Sequence, residues 1–162
     1  TLLFTGSIAN NIKFGKKDAE YKEVEDSAKI AQAYEFILNK PNKFDEIITE
    51  GGSNVSGGQK QRLSIARAIV RKPDIYIFDD SFSALDFKTD AILRKELRSE
   101  TKDAIVLIVA QRIGSIMDAD KIIVLNEGEV VGIGTHKELI KNCPIYHEIA
   151  TSQLTEEELA NE

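Results

Sequence analysis

Hydrophobic and polar residues follow two different periods along the chain, and the change of period separates a helical first part from an alternating second part. Apolar residues recur at helical spacing from Asp18 to Asn39, where Pro41 ends the predicted helix. A second helix is predicted from Gln59 to Arg71 and ends before Pro73. The apolar positions on the inner faces are Val24, Ala28, Ala31, Tyr34, Ile37 and Leu38 in the first helix, and Leu63, Ala66, Ile69 and Val70 in the second.

Two short runs that are almost entirely apolar predict strands. Ile75–Phe78 and Ala104–Ala110 have the composition expected of strands that are buried on both faces of a parallel sheet. A helix is predicted between them, over Phe87–Thr101, with Ala91, Ile92 and Leu97 turned inward. Shorter helical turns are expected over Phe44–Ile48 and Ile113–Met117.

The last third of the chain predicts a hairpin followed by a capped helix. Lys121–Asn126 and Val130–Ile133 flank the turn Glu127-Gly128-Glu129. Thr135 and Glu138 have the spacing of a capping box. We therefore expect an α/β chain with a helical subdomain over residues 1–71, a strand–helix part over 72–153, and an acidic, frayed tail over 154–162.

Composition restricts the class of protein. The 162 residues are 42% hydrophobic, which suits a globular domain, and the formal net charge of −6 argues against general nucleic-acid binding. The single cysteine, Cys143, cannot form an internal disulfide, which favours a reducing compartment. No apolar run approaches the roughly 20 residues that a membrane-spanning helix requires.

Two segments carry residues suited to phosphate and metal chemistry. Ser56, Gly57, Gly58 and Gln59 open the second predicted helix, where bare N–H groups and the helix dipole favour a polyphosphate. Asp79 and Asp80 end the strand that begins at Ile75, and Asp86 follows within one loop. Mg²⁺ takes one or two carboxylates together with phosphate oxygens and water. Each segment alone could be an ordinary helix cap or a solvated strand end, but together they indicate nucleotide chemistry.

Five segments, in order, resemble motifs of the ATP-binding domain of an ABC transporter of the exporter type, and the resemblance covers nearly the whole chain. It implies the second half of a P-loop NTPase-like α/β core, with a mostly parallel sheet, and an α-helical signature subdomain. The segments are Phe4–Ile8 with Asn11 and Ile12 (the stretch beyond the Q-loop), Val55–Gln59 (the signature, with Val for the usual Leu), Ile75–Asp79 (the Walker B strand), the D-loop residues Ser83, Ala84, Leu85 and Asp86, and Gly134–Leu139 (the segment after the last hairpin).

The resemblance also implies roles for single residues. Asp79 would hold Mg²⁺ directly or through water, and Asp80 stands where the family usually has the Glu that acts as base. Asp is one methylene shorter, a displacement of roughly 1 Å that can cost about 10²-fold in rate. Gln111 stands where the family usually has a His that contacts the γ-phosphate, and Gln cannot become a cation. The two departures predict a site that binds ATP and hydrolyses it slowly.

The same resemblance implies partners. Two ATP-binding domains of this family meet head to tail, so Ser56, Gly57, Gly58 and Gln59 would contact an ATP that a second domain holds. A sound signature beside a weakened base predicts a heterodimer. Transmembrane domains would attach to it at the cytoplasmic face of the cell membrane. No Gly-x-x-x-x-Gly-Lys-[Ser/Thr] sequence occurs, so we expect the first half of the domain to precede Thr1. Alone, the chain should bind ATP poorly, remain inactive, and associate through exposed apolar faces.

Two alternatives remain open at this stage. One is a soluble ABC-type ATPase of the DNA-repair or translation type, and the other is a non-enzymatic interaction module. The segments Phe4–Ile8 and Gly134–His136, together with the acidic charge balance, favour the exporter. His136 and His147 have no second ligand at metal spacing, so both are predicted to be surface residues.

Overall fold

The computed structural model describes residues 2–155, which divide after Val109 into two compact units. The first unit contains an antiparallel pair of two-residue strands, a group of helices, and a parallel strand pair joined by a helix. Its elements are β1 (Gly6–Ser7), α1 (Ile8–Lys13), α2 (Tyr21–Ile30), α3 (Tyr34–Leu38), β2 (Ile47–Ile48), α4 (Gly57–Ile69), β3 (Ile75–Asp79), α5 (Phe87–Glu100) and β4 (Ile105–Val109), with 3₁₀ turns at Lys43–Asp45 and Glu50–Gly52.

The predicted helix over 18–39 is two helices, because the chain turns between α2 and α3. Gln32 takes a left-handed conformation with φ of 55°, and the Ala33 N–H donates to the Ala28 carbonyl at 2.7 Å. The apolar spacing continues across the turn, so periodicity alone did not reveal it. The predicted helical turn over Phe44–Ile48 is also partly wrong. Ile47 and Ile48 form β2, which pairs with β1.

Helix α4 lies at the centre of the first unit and packs against α1 and α2. It begins two residues before the predicted start and ends at Ile69 rather than Arg71. Its buried residues include the predicted Leu63, Ala66 and Ile69.

The C-terminal half of α4 is clamped by Arg67. The half-buried guanidinium donates to the Asn11 carbonyl at 2.8 Å, to the Asn11 Oδ1 at 2.9 Å and to the Leu2 carbonyl at 2.9 Å. It also lies over the rings of Phe4 and Phe14. Gly15 fits beside it, where a Cβ would stand 2.0 Å from the Arg67 carbonyl oxygen. The chain before α2 is therefore held tightly to this end of α4.

Strands β3 and β4 are parallel, with Ile75 opposite Ile105 and Asp79 opposite Val109. The prediction that both faces are buried is wrong for the described residues. Tyr76 and Phe78 join the core that contains Leu93 and Leu97 of α5, whereas Ile77 is 68% exposed. The helices cover only one face. Within α5 the buried side chains are Asp90, Leu93 and Leu97, so the inward orientation predicted for Ala91 and Ile92 is wrong.

The second unit contains an antiparallel hairpin and two helices. A 3₁₀ turn at Ile113–Ser115 precedes β5 (Ile122–Asn126), β6 (Glu129–Gly134), α6 (His136–Asn142) and α7 (Pro144–Gln153). The predicted capping box of Thr135 and Glu138 is confirmed. His147 is exposed, as predicted.

The surface position predicted for His136 is wrong. This side chain is 4% exposed, and its Nδ1 lies 2.6 Å from the Tyr146 hydroxyl of α7. Packing of α6 on α7 buries the first residue of α6, a tertiary effect that metal-ligand spacing cannot indicate. Within residues 2–155 no helix has the length and apolar character needed to cross a bilayer.

Two predicted domain boundaries remain predictions. The boundary between residues 71 and 72 falls inside the first unit and stays a prediction. The acidic tail predicted over 154–162 lies, beyond residue 155, outside the described residues.

Candidate functional site

The glycine-rich start of α4 is fixed by a reciprocal cap. The Ser56 hydroxyl accepts from the Gln59 N–H at 3.3 Å, and the Gln59 side-chain oxygen accepts from the Ser56 N–H at 3.1 Å. Ser56 and Gly57 are exposed. The first N–H groups of a helix have no acceptor within that helix, and they stand at the positive end of its dipole. This helix end can therefore bind an anion presented from outside.

The loop that leads into α4 has internal hydrogen bonds of its own. The Asn54 amide donates to the Ile47 carbonyl at 2.7 Å and accepts from the Thr49 N–H at 3.2 Å. Gly51 and Gly52 take left-handed conformations, with φ of 64° and 68°. Val55 is buried directly before the cap. These contacts fix the direction in which Ser56 enters the helix.

The acidic end of β3 is exposed and sharply turned. Asp79 and Asp80 are both exposed, and Asp80 has a left-handed φ of 46°. The Asp80 N–H donates to the Val109 carbonyl at 3.0 Å, so the backbone still bonds to β4 at the turn. Ser83 Oγ donates to the Asp80 carbonyl at 3.1 Å. The turn leaves the two carboxylates directed away from the core.

Asp86 caps α5. Its carboxylate accepts from the Thr89 N–H at 2.9 Å and from the Thr89 hydroxyl at 2.7 Å. These two hydrogen bonds hold the pKa of Asp86 below its usual range, with a smaller contribution from the Arg62 charge. From the sequence, Asp86 was expected in the D-loop and beside Asp79 and Asp80 in a polar site around Mg²⁺, and its role as a helix cap was missed. Its cap could have been predicted from the apolar helix pattern that begins directly after it.

The start of α4 and the loop after β3 lie against each other. A Cβ on Gly58 would stand 3.0 Å from the Ala84 carbonyl oxygen, and a Cβ on Gly57 would stand 3.8 Å from the Ala84 Cβ. The structure thus brings together Ser56–Gln59, the carboxylates Asp79 and Asp80, and the Ser83–Asp86 loop. These predicted site residues, separate in sequence, form one surface of the first unit.

Sequence reasoning missed Gln61, which joins the two segments. Its side-chain oxygen accepts from the Ala84 N–H at 3.1 Å, and its amide nitrogen lies 3.4 Å from the Asp80 carbonyl oxygen. Gln61 stands three and four residues after the two glycines, the spacing that places side chains on one helix face. That spacing was a signal in the sequence that could have revealed it.

Arg62 holds the same part of α4 to the end of α2. Its guanidinium donates to the Gln32 carbonyl at 2.8 Å and lies 4.9 Å from the centre of the Phe36 ring. Burial lowers the pKa of Arg62 below its ordinary value, and the Asp86 charge acts in the opposite direction. An arginine remains charged at neutral pH even so. Arg62 therefore adds a fixed positive charge behind the glycine-rich end.

The carboxylates at the end of β3 fit the requirements of Mg²⁺. Among residues 2–155 there is no cluster of three or more His, Cys, Asp or Glu side chains able to hold a metal. Mg²⁺ does not require such a cluster, because it usually binds one or two carboxylates and completes its shell with phosphate oxygens and water. Asp79 and Asp80 supply that number of carboxylates on an exposed surface.

Gln111 belongs to the second unit. Its side chain is exposed, and its carbonyl accepts from the Gln153 side chain at 2.9 Å. The neighbouring Ile113 N–H donates to the Gln153 Oε1 at 2.9 Å. The backbone around Gln111 is therefore fixed by α7.

Comparison with protein families identifies the family to which the chain belongs. The family model for ABC transporters matches residues 3–83, half of the chain. The chain belongs to the ABC transporter family, and its α/β fold with a parallel strand pair is the fold of this family's ATPase domain.

Individual members of this family are similar to nearly the whole chain. The chain is 46% identical over 156 residues to the uncharacterized ABC transporter ATP-binding protein YfiB of Bacillus subtilis, covering 96% of this chain and 27% of that protein. It is 42% identical over 152 residues to mouse ATP-binding cassette sub-family B member 5, covering 94% and 12%. A bacterial Atm1-family ABC exporter solved with ATP bound superposes with a TM-score of 0.92 at 35% identity, covering 96% and 28%. The chain thus spans about a quarter or less of the length of these relatives.

Proposed function

We propose that this chain is part of the ATP-binding domain of a membrane ABC exporter, in which ATP binding and hydrolysis drive transport. The observation that carries the proposal is the contact of the glycine-rich start of α4 with the loop after β3, where Gly58 meets Ala84. A phosphate-binding helix end and a pair of strand-end carboxylates thereby share one surface. The likeness to an exporter with ATP bound supports the exporter over a soluble ATPase.

In this proposal the two segments serve different nucleotides. The Ser56 hydroxyl and the N–H groups of Gly57 and Gly58 bind the γ-phosphate of an ATP held by a second ATP-binding domain, and the exposure of Ser56 and Gly57 supports this role. Asp79 would hold Mg²⁺ at this chain's own ATP, directly or through water. Mg²⁺ would neutralise the charge that develops on the phosphate oxygens. Gln59 acts through the cap it forms with Ser56.

Two departures from the family's pattern, Asp80 and Gln111, support slow hydrolysis of the ATP that this chain holds. Asp80 accepts a proton from the attacking water, but its carboxylate reaches less far than that of Glu, and Gln111 supplies a hydrogen bond without a positive charge. The partner is accordingly a different ATP-binding domain with Glu and His at these positions. Transmembrane domains complete the transporter, and the ATP-binding domains lie on the cytoplasmic face of the cell membrane.

The experiment is single-turnover ATP hydrolysis by the purified full-length transporter, resolved for the two sites. The double variant Asp80→Glu with Gln111→His should raise hydrolysis at this chain's own site by up to about 10²-fold. Asp80→Asn is the matched control, because it keeps the shape of the side chain and removes the base. Equal turnover at both sites of the wild type would contradict the weak site, and no ATP hydrolysis at either site would contradict the ATPase.

A further inference from the structure

Gln61 lies on α4 one turn beyond the glycine-rich end and is only half exposed. Its carboxamide faces backbone groups from both ends of the loop that follows β3. At one end it accepts the Ala84 N–H at 3.1 Å, and at the other its nitrogen lies 3.4 Å from the Asp80 carbonyl oxygen. The same nitrogen is 3.5 Å from Ser83 Oγ. A single side chain therefore contacts residues 80, 83 and 84.

The chemistry of these contacts selects an amide. Ala84 offers a donor and Asp80 offers an acceptor, so the bridging group must accept at one atom and donate at another. A carboxylate only accepts and an ammonium only donates, while the Gln side chain does both. Asn has the same chemistry but is shorter by one methylene. The arrangement therefore depends on both the chemistry and the length of Gln61.

The loop that Gln61 contacts is also fixed to β4 by the Asp80 N–H and to the core by the buried Phe82 and Leu85. Gln61 supplies its side-chain hydrogen bonds from α4. Asp80 has a left-handed backbone, and Asp79, Asp80, Ser83 and Ala84 are exposed. The close approach of Gly58 to the Ala84 carbonyl sets the distance between the loop and α4, but it supplies no attraction of its own. The hydrogen bonds of Gln61 attach the loop to α4 in a defined direction.

We propose that Gln61 is a positioning residue that holds the loop over residues 80–84 to the start of α4. The segment that carries Asp80 and the segment that carries Ser56 then keep one spacing. Gln61 does not touch nucleotide; it acts through Asp80 and Ala84. The functional part of this inference rests on the proposed ATPase, whereas the bridge itself does not.

The test combines two measurements on the full-length protein. The first is amide hydrogen exchange of the Ala84 N–H, compared between wild type, Gln61→Met and Gln61→Glu, with Ser64→Ala, one turn further along α4, as the matched control. Loss of one hydrogen bond should speed Ala84 exchange about fivefold to tenfold in the Met variant. The Glu variant should keep this protection better, since its carboxylate can still accept. Exchange within twofold of wild type in Gln61→Met would overturn the bridge.

The second measurement separates positioning from a purely structural contact. Gln61→Met should lower kcat at this chain's own ATP site, resolved from the partner's site by single-turnover hydrolysis, about tenfold with KM changed less than twofold, because a loosened loop misplaces Asp80 without removing a contact to ATP. Faster Ala84 exchange with unchanged kcat would overturn the positioning role. A wild-type protein without ATP hydrolysis would refute the proposed ATPase, and the exchange measurement would still decide the bridge.

Discussion

The two ends of α4 are held in different ways. At the C-terminal half, Arg67 donates to three acceptors at 2.8 to 2.9 Å, and Gly15 packs directly against the helix backbone. At the N-terminal end the links to the loop after β3 are longer, at 3.1 to 3.5 Å, and the glycines are open to solvent or half exposed. Arg62 also holds the N-terminal half of α4, through the Gln32 carbonyl at 2.8 Å, so the looser contacts are confined to the glycine-rich end itself.

Different residue types produce this contrast. A half-buried arginine over two neighbouring aromatic rings donates to backbone carbonyls, and it loses little freedom because its fork is planar. Glycine at the other end leaves N–H groups accessible and allows a second chain segment to approach. Substitutions at the anchored half should therefore affect stability most, and substitutions at the glycine-rich end should affect function more.

The largest expected effect is that of Gly15→Ala. The added Cβ would stand 2.0 Å from the Arg67 carbonyl oxygen, a backbone atom that cannot move without displacing α4. We expect a loss of about 3 kcal/mol in the free energy of unfolding, measured by urea denaturation. Gly57→Ala is the control, because its Cβ meets only the Ala84 Cβ at 3.8 Å and should change stability by less than about 1 kcal/mol. Equal losses in both variants would remove the contrast between the ends.

Arg67→Met should have the next largest effect. It keeps much of the aliphatic bulk but removes the donors to Asn11 and Leu2, and we expect a loss of about 2 kcal/mol in the free energy of unfolding. Arg71→Met removes the same charge from an exposed position two residues after α4 and should change stability by less than about 0.5 kcal/mol. Comparable losses would show that charge, rather than the clamp, explains Arg67.

The smallest effect concerns the response to acid of Asp86, which caps α5 at the end of the loop that lies against the glycine-rich end. The pKa of Asp86 is lowered by its bonds from Thr89, so the unfolded chain takes up the proton first as pH falls. The stability that Asp86 contributes is present above its unfolded pKa and is lost as the pH falls below about 4 toward the folded pKa. Asp86→Asn keeps a capping side chain but cannot titrate. Denaturation between pH 3 and pH 7 should show a shallower acid decline in this variant, and parallel declines would refute the cap.

The sequence predicted best those features that depend on neighbouring residues. The capping box of Thr135 and Glu138 follows from residue types three positions apart. Strands β3 and β4 were placed within two residues, because continuous apolar runs between helices indicate a parallel pair. The family's motifs gave Asp79, Asp80 and the loop over Ser83–Asp86.

Features that depend on distant contacts were missed. The left-handed turn at Gln32 interrupts a helical pattern whose spacing continues beyond it. The burial of His136 depends on Tyr146, ten residues away, and the clamp of Arg67 depends on residues before α2. In the sequence Gln61 looks like one more polar residue of a helix. Its hydrogen-bond partners come from the loop after β3, which approaches it in the folded structure. A one-dimensional pattern does not record which elements meet.

The left-handed backbone at Asp80 restricts the residues that fit at this position. At φ of 46° the residues that settle most readily are Gly, Asn and Asp, and β-branched side chains fit worst. The backbone conformation at this position therefore limits which substitutions are tolerated, in addition to any requirement of catalysis. The residues that fit most readily all have a short side chain, while Glu at this position would add backbone strain on the order of 1 kcal/mol. The Asp80→Glu variant should therefore unfold more easily than the wild type, even where its longer carboxylate speeds hydrolysis.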